Sequence, residues 1–337
     1  MKYSRSFLKW LLIPAVIVTS FSILVSKSQD ADDWESYGKE WKEFARKMAE
    51  KWSSSSSSYH CSNRSNGYDS VATKEDKKVL GLKEIRNLAV SNRGGQVVVR
   101  GGSKENSVVF CFRLRDKTIA VAQKKLATVR PVSEEKDASV LIEAPEVERL
   151  ETDIVIQLKS PSVNVKIRNV AGPVEIENIK GNLDLNAYAG SVEIKNASLE
   201  ECLIDSSSGG VEMDNVSIER NLDLNVYAGS ANIRNTTIKD GSINVSSGSL
   251  RLALASPFSG NLKAMTRACK ITAFISKESD CKVRLKTRGG SAKSYLELKN
   301  KRSHSVGAIH KITGELGNGK GLLDLEASAG SIILRGN

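Results

Sequence analysis

The stretch LDLNAYAGSVEIKN, residues 183–196, returns as LDLNVYAGSANIRN at residues 222–235, with 10 of 14 positions identical. A looser copy, LDLEASAGSIILRGN, closes the chain from Leu323 to Asn337. A phrase that recurs at a fixed distance is a repeated structural unit, not one local site. Within each copy, apolar and polar residues alternate on both sides of a glycine, which is the pattern of two strands meeting at a corner.

Working outward, a turn glycine precedes a V-x-I type strand at Gly172, Gly190, Gly209, Gly229 and Gly248, in steps of 18, 19, 20 and 19 residues. Cys269 and Gly290 extend the series with steps of 21, and Gly330 lies 40 further on, leaving room for one more coil with an inserted loop. A period near 20 predicts a solenoid, in which each unit buries its apolar edge only by stacking on its neighbours. Strand alternation points Val174/Ile176, Val192/Ile194, Val211/Met213, Ala231/Ile233 and Leu250/Leu252 inward after the glycines. Leu183/Leu185, Cys202/Ile204 and Leu222/Leu224 point inward before them. The fold class is therefore all-β, a parallel β-solenoid of about 19–20 residues per coil with two main strands per coil. Asn178, Asn196, Asn215 and Asn235 recur after the second strand, which predicts a corner ladder of hydrogen-bonded amides.

The rest of the chain divides around this repeat. Residues 1–28 carry Lys2, Arg5 and Lys9 before an apolar run from Trp10 to Val25, the pattern of either a cleaved signal peptide or an uncleaved membrane anchor. Residues 32–52 space Trp34, Tyr37, Trp41, Phe44, Met48 and Trp52 along one face of an amphipathic helix. That face suits a partner element, or membrane contact through Trp34, Trp41 and Trp52. Residues 53–79, opening with six serines, read as a linker. Residues 80–160 read as a small β module with one short helix near Thr118 to Ala127, and residues 161–337 as the solenoid.

The Pro-flanked strand module, the G-x-V-x-I-x-N and G-N-L-D-L phrases, and the closing L-D-L-x-x-x-x-G-S-I motif resemble the bacterial putative-adhesin domain family over residues 85–337. The resemblance implies an exported β-solenoid related to autotransporter adhesin-head repeats, and it carries over no catalytic residue. Localisation in the periplasm or on the cell surface follows from the export segment, with anchoring by the N-terminus as the open alternative.

Composition agrees with a thin stacked sheet. Of 337 residues 40% are hydrophobic, enough for a sizeable core, but only 5% are aromatic. Five cysteines, at 61, 111, 202, 269 and 281, are an odd number. Cys269 and Cys281 are the candidate disulfide pair, although the register sets them near opposite ends of one strand, and Cys202 reads as a small core residue.

Two surfaces carry candidate chemistry. Asp184, Asn186, Tyr188, Asp205, Asp223, Asn225 and Tyr227 fall on outward positions of the first strands, a face that can hold a ligand by ring stacking and hydrogen bonds. Its two tyrosines lie two coils apart, about 10 Å. The formal net charge of +11 is uneven: residues 262–320 hold 14 Lys and Arg against 4 Asp and Glu, and residues 162–261 hold 8 against 12. Lys282, Arg284, Lys286, Arg288, Lys293, Lys301 and Arg302 are the candidate contacts to an anionic lipid or glycan.

The expected function is a non-catalytic, adhesin-like or binding scaffold of the cell envelope, with an unidentified glycan, lipid or protein partner. The alternative is an envelope assembly or stress-sensing component. A polysaccharide-active enzyme built on Asp184, Asp205 and Asp223 is disfavoured, because no His or Arg stands in register with them on that face. The three histidines show no metal spacing with the cysteines, so no cofactor is expected. Nucleic acid is excluded by export and by the lack of aromatics among the basic residues.

Overall fold

The computed structural model describes residues 70–255 and 257–337. The export segment (1–28), the aromatic helix (32–52) with its Trp34, Trp41 and Trp52 stripe, and the serine tract lie outside the described residues.

The first strands are β1 (Ser70–Val79), β2 (Asn87–Asn92), β3 (Val97–Gly101) and β4 (Ser107–Asp116). The helix α1 (Ile119–Thr128) follows, then β5 (Val132–Lys136), β6 (Ser139–Glu143) and β7 (Leu150–Leu158). Regular coils run through β8 (Asn164–Ala171), β9 (Val174–Glu177), β10 (Lys180–Ala189), β11 (Val192–Lys195), β12 (Ser198–Ser208) and β13 (Val211–Asp214). They continue with β14 (Ser217–Ala228), β15 (Ala231–Ile238), β16 (Asp240–Ser247), β17 (Leu250–Leu254), β18 (Asn261–Thr266) and β19 (Ile271–Ile275). The chain ends with β20 (Cys281–Arg288), β21 (Ala292–Ser294), β22 (Lys299–Val306), β23 (Ile309–Leu316), β24 (Gly321–Ala327) and β25 (Ile332–Gly336).

Each coil places one strand in each of two stacked sheets. The front sheet runs β5, β6, β2, β8, β10, β12, β14, β16, β18, β24, β20, β23, β22. The back sheet runs β1, β4, β7, β3, β9, β11, β13, β15, β17, β19, β25, β21. Coil-to-coil pairing is parallel, and antiparallel strands extend both ends. The inward aliphatic residues of both sheets form one continuous core from Ala72 to Leu334. Each such side chain contributes about 1.5–3 kcal/mol by burial.

Two corners close every coil. At the first, a glycine stacks on the glycine of the coil before it: a Cβ on Gly190, Gly209, Gly229 or Gly248 would fall on the carbonyl oxygen of the preceding corner. Their φ values of 129° to 150° also belong to glycine alone. At the second corner, Asn178, Asn196, Asn215 and Asn235 adopt φ of 48° to 57°. Asparagine enters this left-handed region more readily than other side chains. The amide ladder forms in part: Asn215 Nδ2 donates to Asn196 Oδ1 at 2.8 Å. Beyond this corner a register shift bends the front strand near Gly181 and Leu199, giving each coil a short third side that buries Ile179, Leu199 and Ile218.

Several boundaries differ from the sequence reading. Strand β1 occupies the last ten residues of the expected linker, pairing antiparallel with β4. Its polar sequence SVATKEDKKV hid it, because an edge strand faces solvent over most of its length. Residue 161 marks no break, since β2 pairs with β8 and β3 with β9 in the same two sheets. The helix is capped by Thr118 and buries Ala122 and Leu126 against β1 and β4.

Spatial order departs from chain order at both ends. The coil β2/β3 sits between β6/β7 and β8/β9. The final coil β24/β25 sits between β18/β19 and β20/β21. Cys269 and Cys281 are both free thiols: Cys269 stands at a corner before β19 and Cys281 opens β20, so they do not share a strand. Cys202 is a core residue, and burial pushes its thiol up to about 12.

Candidate functional site

The outward face of the front sheet carries both sequence-derived clusters, apart from Lys293. In the middle, register aligns Asp184, Leu203, Asp223 and Ser242 in one row, and Asn186, Asp205, Asn225 and Asn244 in the next. Leu203 separates Asp184 from Asp223 along their row, whereas Asp205 and Asp223 meet on the amide of Asn225. Asn225 Nδ2 donates to Asp205 Oδ1 at 3.0 Å and to Asp223 Oδ1 at 3.3 Å, and Asn244 Nδ2 donates to Asn225 Oδ1 at 3.0 Å. Asp184 accepts from Asn186 and pairs with Lys166 at 2.7 Å.

Burial raises the Asp205 carboxyl above the ordinary aspartate range, more than its hydrogen bond from Asn225 lowers it. Burial and the neighbouring Asp205 charge raise Asp223 in the same way. Tyr188 and Tyr227 stand 47% and 42% exposed, with Ser207 in the coil between them. Burial, then the charges of Asp205 and Asp223, push the Tyr227 phenol up, so it remains a hydrogen-bond donor. Toward β6, the same face holds a groove of about 500 Å³ lined by Ala89, Leu141, Lys166, Asp184 and Leu203.

The second cluster lies at the other end. Alternation in β20 turns Lys282, Arg284, Lys286 and Arg288 outward, and Val283 and Leu285 into the core. Arg284 is not a free cation: its Nε donates to Asp324 Oδ1 at 2.7 Å and its Nη2 to Asp324 Oδ2, against a carboxylate only 3% exposed. Lys286 donates to Glu326 at 2.7 Å. Both acids come from the inserted strand β24, so a charge count along the chain misses them.

The hairpin β22/β23 widens the basic area. Arg302 is registered with Thr313 and Arg284, and His304 with Lys311 and Lys286. All eight residues of β22 are exposed. Lys301 sits at the bulge between Lys299 and Arg302 and is exposed. Lys293 lies on β21 in the back sheet, away from this cluster. Sequence reasoning missed Lys299, His304 and Lys311. The signal available was the turn Gly307, φ 55°, between two alternating runs, which marks a hairpin.

A putative adhesin from Bacteroides fragilis is 12% identical, covering 80% of this chain and 98% of that one, with a TM-score of 0.46. A putative adhesin from Parabacteroides distasonis is 11% identical, covering 79% and 98%, with a TM-score of 0.41. A putative cell adhesion protein from Clostridium sporogenes is 15% identical, covering 79% and 100%, with a TM-score of 0.28. No curated protein matches the chain. The profile of the Toastrack DUF4097 family matches residues 67–335, which span the whole of both sheets apart from the final residues of the chain. The chain belongs to the Toastrack DUF4097 family.

Proposed function

We propose that the protein is an exported, non-catalytic, adhesin-like scaffold of the cell envelope that docks on anionic lipid or glycan through the basic end of its front sheet. The observation that carries this reading is the outward face of β20, β23 and β22. Lys282, Arg302 and Lys311 project there with no carboxylate partner among the described residues, around the paired Arg284 and Lys286. Export is supported by the basic and then apolar N-terminal sequence.

A binding experiment tests the reading. The full chain is titrated with anionic vesicles, neutral vesicles and an immobilised acidic glycan over a salt series. Each basic side chain near an anionic surface contributes about 1 kcal/mol, so the triple variant K282E/R302E/K311E should lose at least about a hundredfold in affinity. Binding indifferent to both salt and the triple substitution would reject the docking role. Retention on vesicles alone, or on glycan alone, identifies which anionic source is used.

A further inference from the structure

The residue two positions before each corner forms an outward row that crosses the front sheet. From β10 to β20 four large planar groups stand in it: Tyr188, Tyr227, Arg267 and Arg288. Ser207 separates the first two, and Ser246 separates Tyr227 from Arg267. In chain order Arg288 belongs to the coil directly after Arg267. The inserted coil β24/β25 changes this: Thr266 pairs with Ala327, and Ala327 with Thr287, so Ser328 stands between the two arginines. The corner column agrees, because a Cβ on Gly330 would fall on the Cys269 carbonyl and one on Gly290 on the Gly330 carbonyl. In space the row therefore reads ring, serine, ring, serine, guanidinium, serine, guanidinium. Toward the N-terminal end the alternation continues with Val170 and then Arg93, the latter paired with Glu146 at 3.5 Å.

Folding does not demand this regularity. The row faces solvent, and serine occupies equivalent positions in coils of the same geometry. Two parallel strand spacings set the planar groups about 10 Å apart. An extended peptide crossing the coils would repeat its same-face side chains about every 7 Å, out of step with the row. A β-linked pyranose chain advances by about one strand spacing per ring and inverts each successive ring, so every second ring presents the same face. Its period is that of the row. Tyrosine faces suit stacking on sugar rings, and guanidinium forks suit carboxylates. Arg267 and Arg288 have no carboxylate partner among the described residues, and both are exposed. Beside the tyrosines, the row from Asn186 to Asn244 offers amide and carboxylate groups to hydroxyls.

We propose that the front sheet carries a linear track for an extended β-linked polysaccharide bearing carboxylates. The polymer lies along the solenoid axis, with alternate rings stacked on Tyr188 and Tyr227 and its acid groups held by Arg267 and Arg288. The proposal rests on the exported-scaffold reading only for where the polymer is met.

The test uses the full chain with carboxymethyl cellulose, a β-linked acidic glucan, and with polygalacturonate, an acidic polymer of α-linked rings, matched for charge. Serine is native to this row, so Y188S/Y227S and R267S/R288S should keep the wild-type melting temperature. Each pair should lower affinity for carboxymethyl cellulose about tenfold, the tyrosines by two lost stacking contacts and the arginines by lost charge-assisted hydrogen bonds. Polygalacturonate should bind more weakly than carboxymethyl cellulose. The proposal is overturned if the tyrosine pair binds as wild type, or if the two polymers bind equally, since charge alone then accounts for binding. The variant K282E/R302E/K311E separates the two readings. Loss of vesicle binding with carboxymethyl cellulose binding kept belongs to the docking end and leaves the track standing.

Discussion

Replacing Gly209 with alanine should destabilise the centre of the molecule far more than the same change at a glycine with open space around it. Gly209 has φ of 129°, a conformation that costs a side-chain-bearing residue about 1–3 kcal/mol. The added Cβ would also fall on the Gly190 carbonyl, so the coils must part at this corner. Parting them loosens the bonds from Gly190 N to Ser208 O and from Gly209 N to Ala228 O, both 2.9 Å. Each is worth about 1 kcal/mol, which brings the expected loss to about 3–5 kcal/mol. Gly307 is the control: its φ is 55°, and a Cβ there meets nothing within 4 Å. Alanine at 307 should cost only about 1–2 kcal/mol. Urea unfolding followed by far-ultraviolet circular dichroism measures both. If Gly209→Ala proves no more harmful than Gly307→Ala, the stacked-glycine corner is not what holds the coils in register.

Arg284→Ala strands the buried Asp324 carboxylate and should cost about 2–3 kcal/mol in the same assay, whereas Lys282→Ala and Arg302→Ala should stay within about 0.5 kcal/mol. Asp205 and Asp223 have raised folded-state values, so the folded state binds their protons more tightly and stability falls as pH rises through those values. D205N/D223N should therefore melt higher than wild type at neutral pH, with the gain vanishing in acid; a gain independent of pH would refute this. Native protein should leave Cys202 and Cys281 unreacted with iodoacetamide at mildly alkaline pH, since burial pushes their thiols up to about 12 and about 11. Peptide mapping without reductant should find Cys269 and Cys281 unlinked.

The coil was legible because its rules are local. Glycine at the crowded corner, asparagine in the left-handed corner and alternating aliphatic residues each follow from one residue's own stereochemistry. The outward registers followed too, as with Asp184 beside Leu203 and Asn186 beside Asp205. Coil order was not legible, because β18 presents to β24 the same aliphatic edge that it would present to β20. The partners of Arg284 and Lys286 were hidden for the same reason. Strand β1 was hidden by a different one: an edge strand keeps a polar sequence, and a polar run beside a serine tract reads as linker. The alternation of Tyr188, Ser207, Tyr227 and Ser246 was visible in the sequence, but its continuation to Arg288 depends on the inserted coil.

The outward face of the front sheet is the proposed binding surface. Hydroxyl-radical footprinting of the protein bound to isolated envelope material tests it most directly, because oxidation reports side-chain exposure residue by residue. Tyr188, Tyr227, His304 and Ile309 mark the front face, and Tyr295, 64% exposed beside β21 of the back sheet, is the internal control. Binding should protect the front-face residues and leave Tyr295 as reactive as in the free protein. Protection of Tyr295 with the front face unchanged would contradict it.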